Sequence, residues 1–183
     1  MMGDAYKVYN QKNVIDNDLS TGYAYVTAEK YNSLKAFRIF PGDVLLTTRG
    51  TIGRAAIFPD DAEEGVLHPC LMRIQLNVTI MKEFLVKLLE DTDILTEQLS
   101  VLSNATTIEV IYSDSLKQIN VPLPPINEQK VILEYLDREA AQMDGIAQAI
   151  RAQIGTVREY RKALISAAVT GRIDVRGEAG NPA

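Results

Sequence analysis

One junction divides this chain into two parts that cannot share one kind of structure. The stretch Ile119-Asn120-Val121-Pro122-Leu123-Pro124-Pro125-Ile126 is apolar and broken by prolines, and it runs directly into Asn127-Glu128-Gln129. Each proline fixes φ, removes a backbone donor and pushes its predecessor towards extended geometry, so no helix is expected before the junction. Asn127 reads as the N-cap of a helix, with Glu128 in the first turn complementing the helix dipole. A long amphipathic helix is then expected to about Val169.

The helix carries its own instruction. Leu136, Met143, Ile150, Val157 and Leu164 recur every seven residues. Ala140, Ala147, Ile154 and Ala168 fill the companion position four residues on, which Arg161 interrupts once. A seven-residue apolar repeat sustained in this way predicts a coiled-coil seam. About 42 residues at 1.5 Å each make roughly 63 Å, longer than a small domain is wide. The helix is therefore not expected to lie along its own domain, and a partner helix, most simply from a second copy, is expected on the seam. Gly145 and Gly155 weaken the helix, and Gly171 is its stop signal. Residues 172–183 are expected to form a flexible tail.

Residues 1–125 read as a globular α+β domain with many short strands. Tyr23 to Thr27 predicts a strand, and Ala28 to Lys35 a short helix or turn. Phe37 to Phe40 alternates like a half-buried strand. Pro41-Gly42-Asp43 is a turn signal before the apolar, β-branched run Val44 to Thr48. Gly50 and Gly53 bracket a tight connection to a strand at Ala55 to Phe58. Leu71 to Leu76 alternates and predicts a strand with one wet face. Met81 to Leu102 has the periodicity of one helix. Ser103 to Thr107 is a polar loop, and Ile108 to Ile111 is extended. The organisation expected is thus a domain at 1–125, a spacer helix at 126–171 and a tail at 172–183.

Composition narrows the function. The net charge of −5 argues against indiscriminate coating of nucleic acid. A specific site is still allowed, because local clusters decide phosphate binding. The acids gather at Asp60-Asp61 with Glu63-Glu64 and at Glu90-Asp91 with Asp93, which leaves other surface free to be basic. No apolar run approaches the roughly 18 residues of a membrane span. The first residues lack a signal-peptide pattern. Cys70 is the single cysteine, so a reducing cytoplasm is expected. Its side chain is read as a small buried hydrophobe, the other reading being a pairing or reactive thiol.

No catalytic constellation is found. His68 is the only histidine and reads as a loop or edge residue beside Pro69. There is no cysteine pair for zinc and no glycine-rich phosphate loop. Pro59-Asp60 with Glu128-Gln129-Lys130 spells a nuclease pattern only across two different structural parts. Pro124-Pro125 lacks the flanking residues of an adenine-methylating loop. Neither a metal nor a cofactor is expected on this chain, and it reads as a binding and positioning protein.

Several segments carry a resemblance. Val121 to Gln129, then Ile132 and Leu136-Asp137, and later Arg161-Lys162-Ala163-Leu164-Ile165-Ser166-Ala167-Ala168-Val169-Thr170-Gly171 resemble the conserved region of type I restriction-modification specificity subunits. Pro41-Gly42-Asp43-Val44-Leu45-Leu46-Thr47-Thr48-Arg49-Gly50-Thr51-Ile52-Gly53-Arg54 resembles the central segment of that family's target recognition domain. The resemblance implies a protein with two recognition domains, each followed by a long conserved helix. The two helices pack antiparallel and set the gap between two half-sites of double-stranded DNA. A methyltransferase subunit docks on this scaffold and brings S-adenosylmethionine and the catalytic loop. A restriction or motor subunit brings ATP hydrolysis and cleavage. The specificity subunit itself is not an enzyme.

This chain holds one such domain and one such helix. A natural half-subunit, a truncated gene and an expressed fragment each account for that, and the heptad seam favours a half-subunit that pairs with itself. Two copies on a two-fold axis would read a symmetric, interrupted target. A helix of about 63 Å matches roughly 18 base pairs at 3.4 Å each. The other reading is a structural or inhibitory coiled-coil partner of the methyltransferase that reads no DNA.

Base readout needs paired donors or donor-acceptor edges, supplied by Arg, Lys, Gln or Asn. Gln11, Lys12 and Asn13 offer that set in one stretch expected to be exposed. Arg49, Thr51 and Arg54 flank the glycine-bounded turn, and Arg49 and Arg54 rank highest because they lie in the segment that resembles the family's recognition domain. Asn104, Thr106 and Thr107 make a third polar loop.

Overall fold

The computed structural model describes residues 5–103, 110–175 and 177. Two compact units result, one ending at Leu133 and one beginning at Glu134. The first contains two small sheets. Strands β1 (Ala5–Tyr9), β2 (Tyr25–Thr27) and β5 (Gly65–Leu67) form one, in the order β2-β1-β5, with β1 antiparallel to β2 and parallel to β5. Strands β3 (Val44–Thr47), β4 (Ala55–Ile57) and β6 (Leu71–Ile74) form an antiparallel sheet in the order β4-β3-β6.

Strand β3 explains how the unit is layered. All four of its residues are buried, so it reads as a continuous apolar run rather than an alternating one. Leu45 faces a core of Tyr9, Val14, Leu19, Ile39, Ala56, Phe58, Cys70 and Leu71. Val44 and Leu46 face the opposite way, onto Leu85 and Leu89 of helix α3 (Lys82–Glu90) and Leu95 and Leu99 of helix α4 (Ile94–Ser103). Phe84 and Leu88, on another side of α3, pack on Leu133. Tyr9 and Phe58 meet edge to face at 5.0 Å, a geometry that matches the aromatic quadrupoles.

Three sequence expectations are corrected here. The helix expected from Met81 to Leu102 is two helices, broken at Asp91-Thr92-Asp93. There Thr92 Oγ1 donates to the Leu88 carbonyl (2.6 Å) and accepts from the Ile94 N–H (3.3 Å), capping one helix and opening the next. The strand expected at Phe37 to Phe40 is a 3-10 turn at Lys35–Phe37 followed by a single bridge from Arg38 to Val66. Beyond the short helices α2 (Ala28–Ser33) and α5 (Ser113–Leu116), the long helix α6 spans Ile126–Val169, so Asn127 lies inside it, and the Pro125 carbonyl takes the first N–H groups, from Glu128 and Gln129.

The expected stop is where the sequence puts it. Gly171 adopts φ +71, its N–H reaches the Ala168 carbonyl, and the Arg172 N–H reaches Ala167 at 2.8 Å. That pair of bonds is a Schellman closure, which the left-handed glycine makes accessible. Cys70 is buried as expected, with His68 Nδ1 at 2.9 Å from its sulfur, and His68 lies in the connection between β5 and β6.

The first turns of α6 belong to the globular unit. Gln129 is fully buried and uses its whole amide: Oε1 accepts from the Met81 N–H (2.8 Å), and Nε2 donates to the carbonyls of Thr79 (2.9 Å) and Pro124 (2.8 Å). In the second unit Leu136, Met143, Ile150, Ile154, Val157 and Leu164 are exposed on one repeat. No helix among the described residues is long and apolar enough to cross a membrane.

Candidate nucleic-acid interface

Helix α1 (Gln11–Ile15) follows β1 directly. Asn10 caps it, accepting from the Lys12 N–H at 2.9 Å, and its own N–H donates to Asn13 Oδ1 at 3.1 Å. This reciprocal pair satisfies donors that a helix start otherwise leaves open. Asn13, expected at the surface with its neighbours, is fully buried. Its Nδ2 donates to the carbonyls of Asp18 (2.9 Å) and Thr21 (2.8 Å), so the side chain is spent on holding the following loop. Gln11 and Lys12 do face outward, Gln11 half-buried and Lys12 exposed.

The glycine-bounded turn between β3 and β4 lies against this helix. Gly50 (φ +70) and Gly53 (φ +81) both adopt the left-handed region, open to glycine without steric cost. Thr47 closes the turn: its N–H donates to the Arg54 carbonyl (2.8 Å), and its Oγ1 accepts from the Arg54 N–H (2.9 Å). A Cβ on Gly50 would stand 3.2 Å from Gln11 Oε1. The turn and the helix are thus in contact through a glycine and an amide. Arg49 and Thr51 are exposed on either side. Arg49 also forms an antiparallel bridge with Val110, which brings that residue to the same place. Asn104, Thr106 and Thr107 lie outside the described residues.

Arg54 has a different role from Arg49. Its Nε pairs with Glu90 Oε1 at 3.2 Å, and the same carboxylate oxygen accepts from the Ala55 N–H at 3.1 Å. Arg54 thus ties β4 to the end of α3. Arg49 has no ion pair among the described residues. Neither Gln11 nor Thr51 spends its side chain on a hydrogen bond there, so these groups are available to a ligand. Among the described residues no group of His, Cys, Asp and Glu is placed to hold a metal ion.

Two participants were not singled out from sequence. Tyr23 is partly exposed, and Lys12 Nζ stands 4.9 Å from its ring centre. Lys7 is buried in β1, and its Nζ donates to the carbonyls of Leu19 (2.8 Å) and Ser20 (2.7 Å). A lysine in a strand ordinarily signals a wet face, so nothing local marks Lys7 as internal. Lys7 shares the buried face of β1 with Tyr9, two residues on.

The chain is similar to known proteins along most of its length. Residues 4–156 match the family model described as type I restriction modification DNA specificity domain. Over 71 residues, 39% of this chain and 15% of the relative, it is 35% identical to the type I restriction enzyme EcoBI specificity subunit of Escherichia coli. Over 131 residues, 69% of this chain and 32% of the relative, it is 27% identical to the putative type I restriction enzyme specificity subunit S.HindORF215P of Haemophilus influenzae. The crystal structure of the HsdS subunit from Thermoanaerobacter tengcongensis superimposes with a TM-score of 0.65 at 19% identity, covering 90% of this chain and 42% of that one. A chain from structural work on complex assembly and conformational transition of the type I R-M system gives 0.62 at 19%, covering 91% and 39%. At that identity the likeness is one of fold. In every case this chain accounts for less than half of its relative's length.

Proposed function

The chain belongs to the type I restriction-modification DNA specificity family, and from that membership we propose that it reads one half of an interrupted duplex sequence for a type I restriction-modification complex. One observation carries the reading. The Gln11 amide lies against Gly50, so helix α1 and the turn that carries Arg49 and Thr51 come together, and the side chains of Gln11, Lys12, Arg49 and Thr51 enter no hydrogen bond or ion pair among the described residues. Gln and Arg are the side chains suited to the edges of adenine and guanine, and Lys to phosphate. A net charge of −5 makes such a cluster a local attraction rather than a general one.

The second half of the site comes from a second copy. The support is the exposed repeat Leu136, Met143, Ile150, Val157 and Leu164 with Ala140, Ala147, Ile154 and Ala168 beside it, a stripe that water does not stabilise. A homodimer on a two-fold axis gives a symmetric target with a gap. In this reading the chain performs no chemistry. A methyltransferase subunit, holding S-adenosylmethionine, docks on the helices, and a motor subunit joins through the complex, all in the cytoplasm.

The test is a methylation map of DNA from cells that express this chain with its neighbouring methyltransferase subunit. A symmetric, interrupted motif carrying N6-methyladenine is expected. An asymmetric motif would overturn the homodimer. No motif, despite a stable complex of the two proteins, would favour the structural or inhibitory partner that reads no DNA.

A further inference from the structure

The loop after α1 is exposed yet held by more bonds than a connection requires. Lys7 holds the carbonyls of Leu19 and Ser20, and Asn13 holds those of Asp18 and Thr21. The Asp18 carboxylate accepts from the backbone N–H and the hydroxyl of both Ser20 and Thr21. Asn17 takes φ +49 to let the chain leave the helix, a conformation Asn tolerates better than most residues. The bonds end at Thr21. Gly22 then leaves the space in which the Tyr25 ring sits, and Tyr23 turns outward to meet Lys12.

Two cations, Lys12 over Tyr23 and Arg38 over Tyr31, lie on an aromatic ring without a carboxylate in ion-pair distance among the described residues; Arg38 also donates to Asn32 Oδ1 (2.9 Å), whereas the Lys12 ammonium makes no hydrogen bond there. Lys7, Arg54, Arg73, Lys87, Lys117 and Arg138 each have a carboxylate within ion-pair distance. Lys12 has none among the described residues and has an aromatic face instead. Two acids lie on the same loop: Asp18 already has four donors from Ser20 and Thr21, and the exposed Asp16 makes no ion pair with Lys12. An ammonium over a tyrosine ring keeps its outward protons, and the phenol adds an O–H at the edge of the same ring. Two donors of this kind suit an anion with several oxygens. Gln11, the neighbour of Lys12, already lies on Gly50, so the pair borders the proposed reading surface.

We infer that Lys12 and Tyr23 together take one backbone phosphate of duplex DNA and so position one strand against Gln11 and the Gly50 turn. The inference rests on the DNA reading proposed above. Its physical advantage is that the loop's ordering cost is met on folding, by Lys7, Asn13 and Asp18, and not on binding. The contact positions the duplex and carries no sequence information of its own.

The test measures binding of the full chain to a random-sequence duplex as a function of salt. Lys12→Ala is expected to lower the log–log salt slope by about 0.9, the share of one phosphate. Tyr23→Phe, which removes only a neutral donor, is expected to weaken binding with the slope unchanged. In Lys12→Ala/Tyr23→Ala the loss is expected to be smaller than the sum of the single losses. Strictly additive losses would overturn the pair. Wild-type affinity and slope in both single alanine variants, with a flattened slope in Arg49→Ala, would overturn this inference and leave the reading surface standing. A wild-type chain with no salt-dependent duplex affinity would overturn the functional reading itself. Unchanged thermal midpoints in the variants are expected, since both side chains are outside the bonds that shape the loop.

Discussion

Gln11 rests on Gly50: its amide oxygen lies 3.2 Å from the point a Cβ of residue 50 would occupy, and Gly50 is held at φ +70. Gly50→Ala therefore meets two obstacles, a left-handed backbone that costs an L-residue about 1–2 kcal/mol and an amide that must move aside. Chemical denaturation should show a loss of that size. Gln11→Ala should leave stability within about 0.5 kcal/mol while relaxing one position of the DNA motif, read by selection from random duplexes.

Arg49 and Arg54 should separate by readout. Arg49→Ala is expected to weaken DNA binding and leave the folding midpoint in place. Arg54→Ala removes a part-exposed ion pair worth at most about 1 kcal/mol. Glu90→Ala should cost more than Arg54→Ala, because it also leaves the Ala55 N–H without its acceptor. Urea midpoints of the three variants order them directly, and equal losses in Arg54→Ala and Glu90→Ala would count against the backbone bond.

Gln129→Leu should be among the most damaging single changes in the globular unit. It keeps approximate volume but orphans the Met81 N–H and the carbonyls of Thr79 and Pro124, each at about 1–3 kcal/mol if water does not reach it. Gln129→Glu should rescue little, since it keeps an acceptor for Met81 but offers no donor. Hydrogen exchange at Met81 should accelerate in Gln129→Leu before exchange in β3 does.

Ile150→Asp places a charge in the middle of the heptad stripe, where Ile150 is 50% exposed in the single chain. The expected outcome is a lower mass by sedimentation and an unchanged circular-dichroism signal from the globular unit. An unchanged mass would remove the stripe as an oligomer seam.

Tyr9 gives an alkaline signature. Burial, reinforced by the nearby Glu63 carboxylate, raises its phenol well above the usual value near 10, and its hydroxyl donates to the Glu63 carbonyl at 2.7 Å. The folded state therefore holds this proton longer than the unfolded state does. Its contribution is complete below about pH 10 and is lost as pH climbs from there towards the folded value. Tyr9→Phe should flatten the stability profile above pH 10 and cost about 1 kcal/mol at neutral pH.

Elements that follow from local pattern were legible in the sequence. The proline-broken entry to α6, its stop at Gly171, and strands β3, β4 and β6 all rest on turn chemistry or apolar runs. What stayed hidden depends on partners distant in the chain. β5 is three residues led by glycine, and it becomes a strand only because Gly65 can lie against the Lys7 carbonyl and the Tyr9 ring. α1 is five residues set by Asn10 and closed by Asn17, too short for periodicity to reveal. The break between α3 and α4 turns on one threonine hydroxyl. In the candidate site, residue type pointed equally to Gln11, Lys12, Arg49 and Thr51, whose side chains the fold leaves uncommitted, and to Asn13 and Arg54, whose side chains it uses, because an amide or a guanidinium serves a fold as readily as a ligand.

Lys7, Asn13, Asp18, Thr47, Gly50 and Gly53 shape the loop and the turn, whereas the side chains of Gln11, Lys12, Arg49 and Thr51 make none of the hydrogen bonds that do so among the described residues. In the reading proposed here, form and vocabulary are therefore written at different positions. On that reading a lineage pressed to change its target can substitute at the second set one residue at a time, each step leaving a folded protein, so new specificities are reachable by a connected path through viable intermediates.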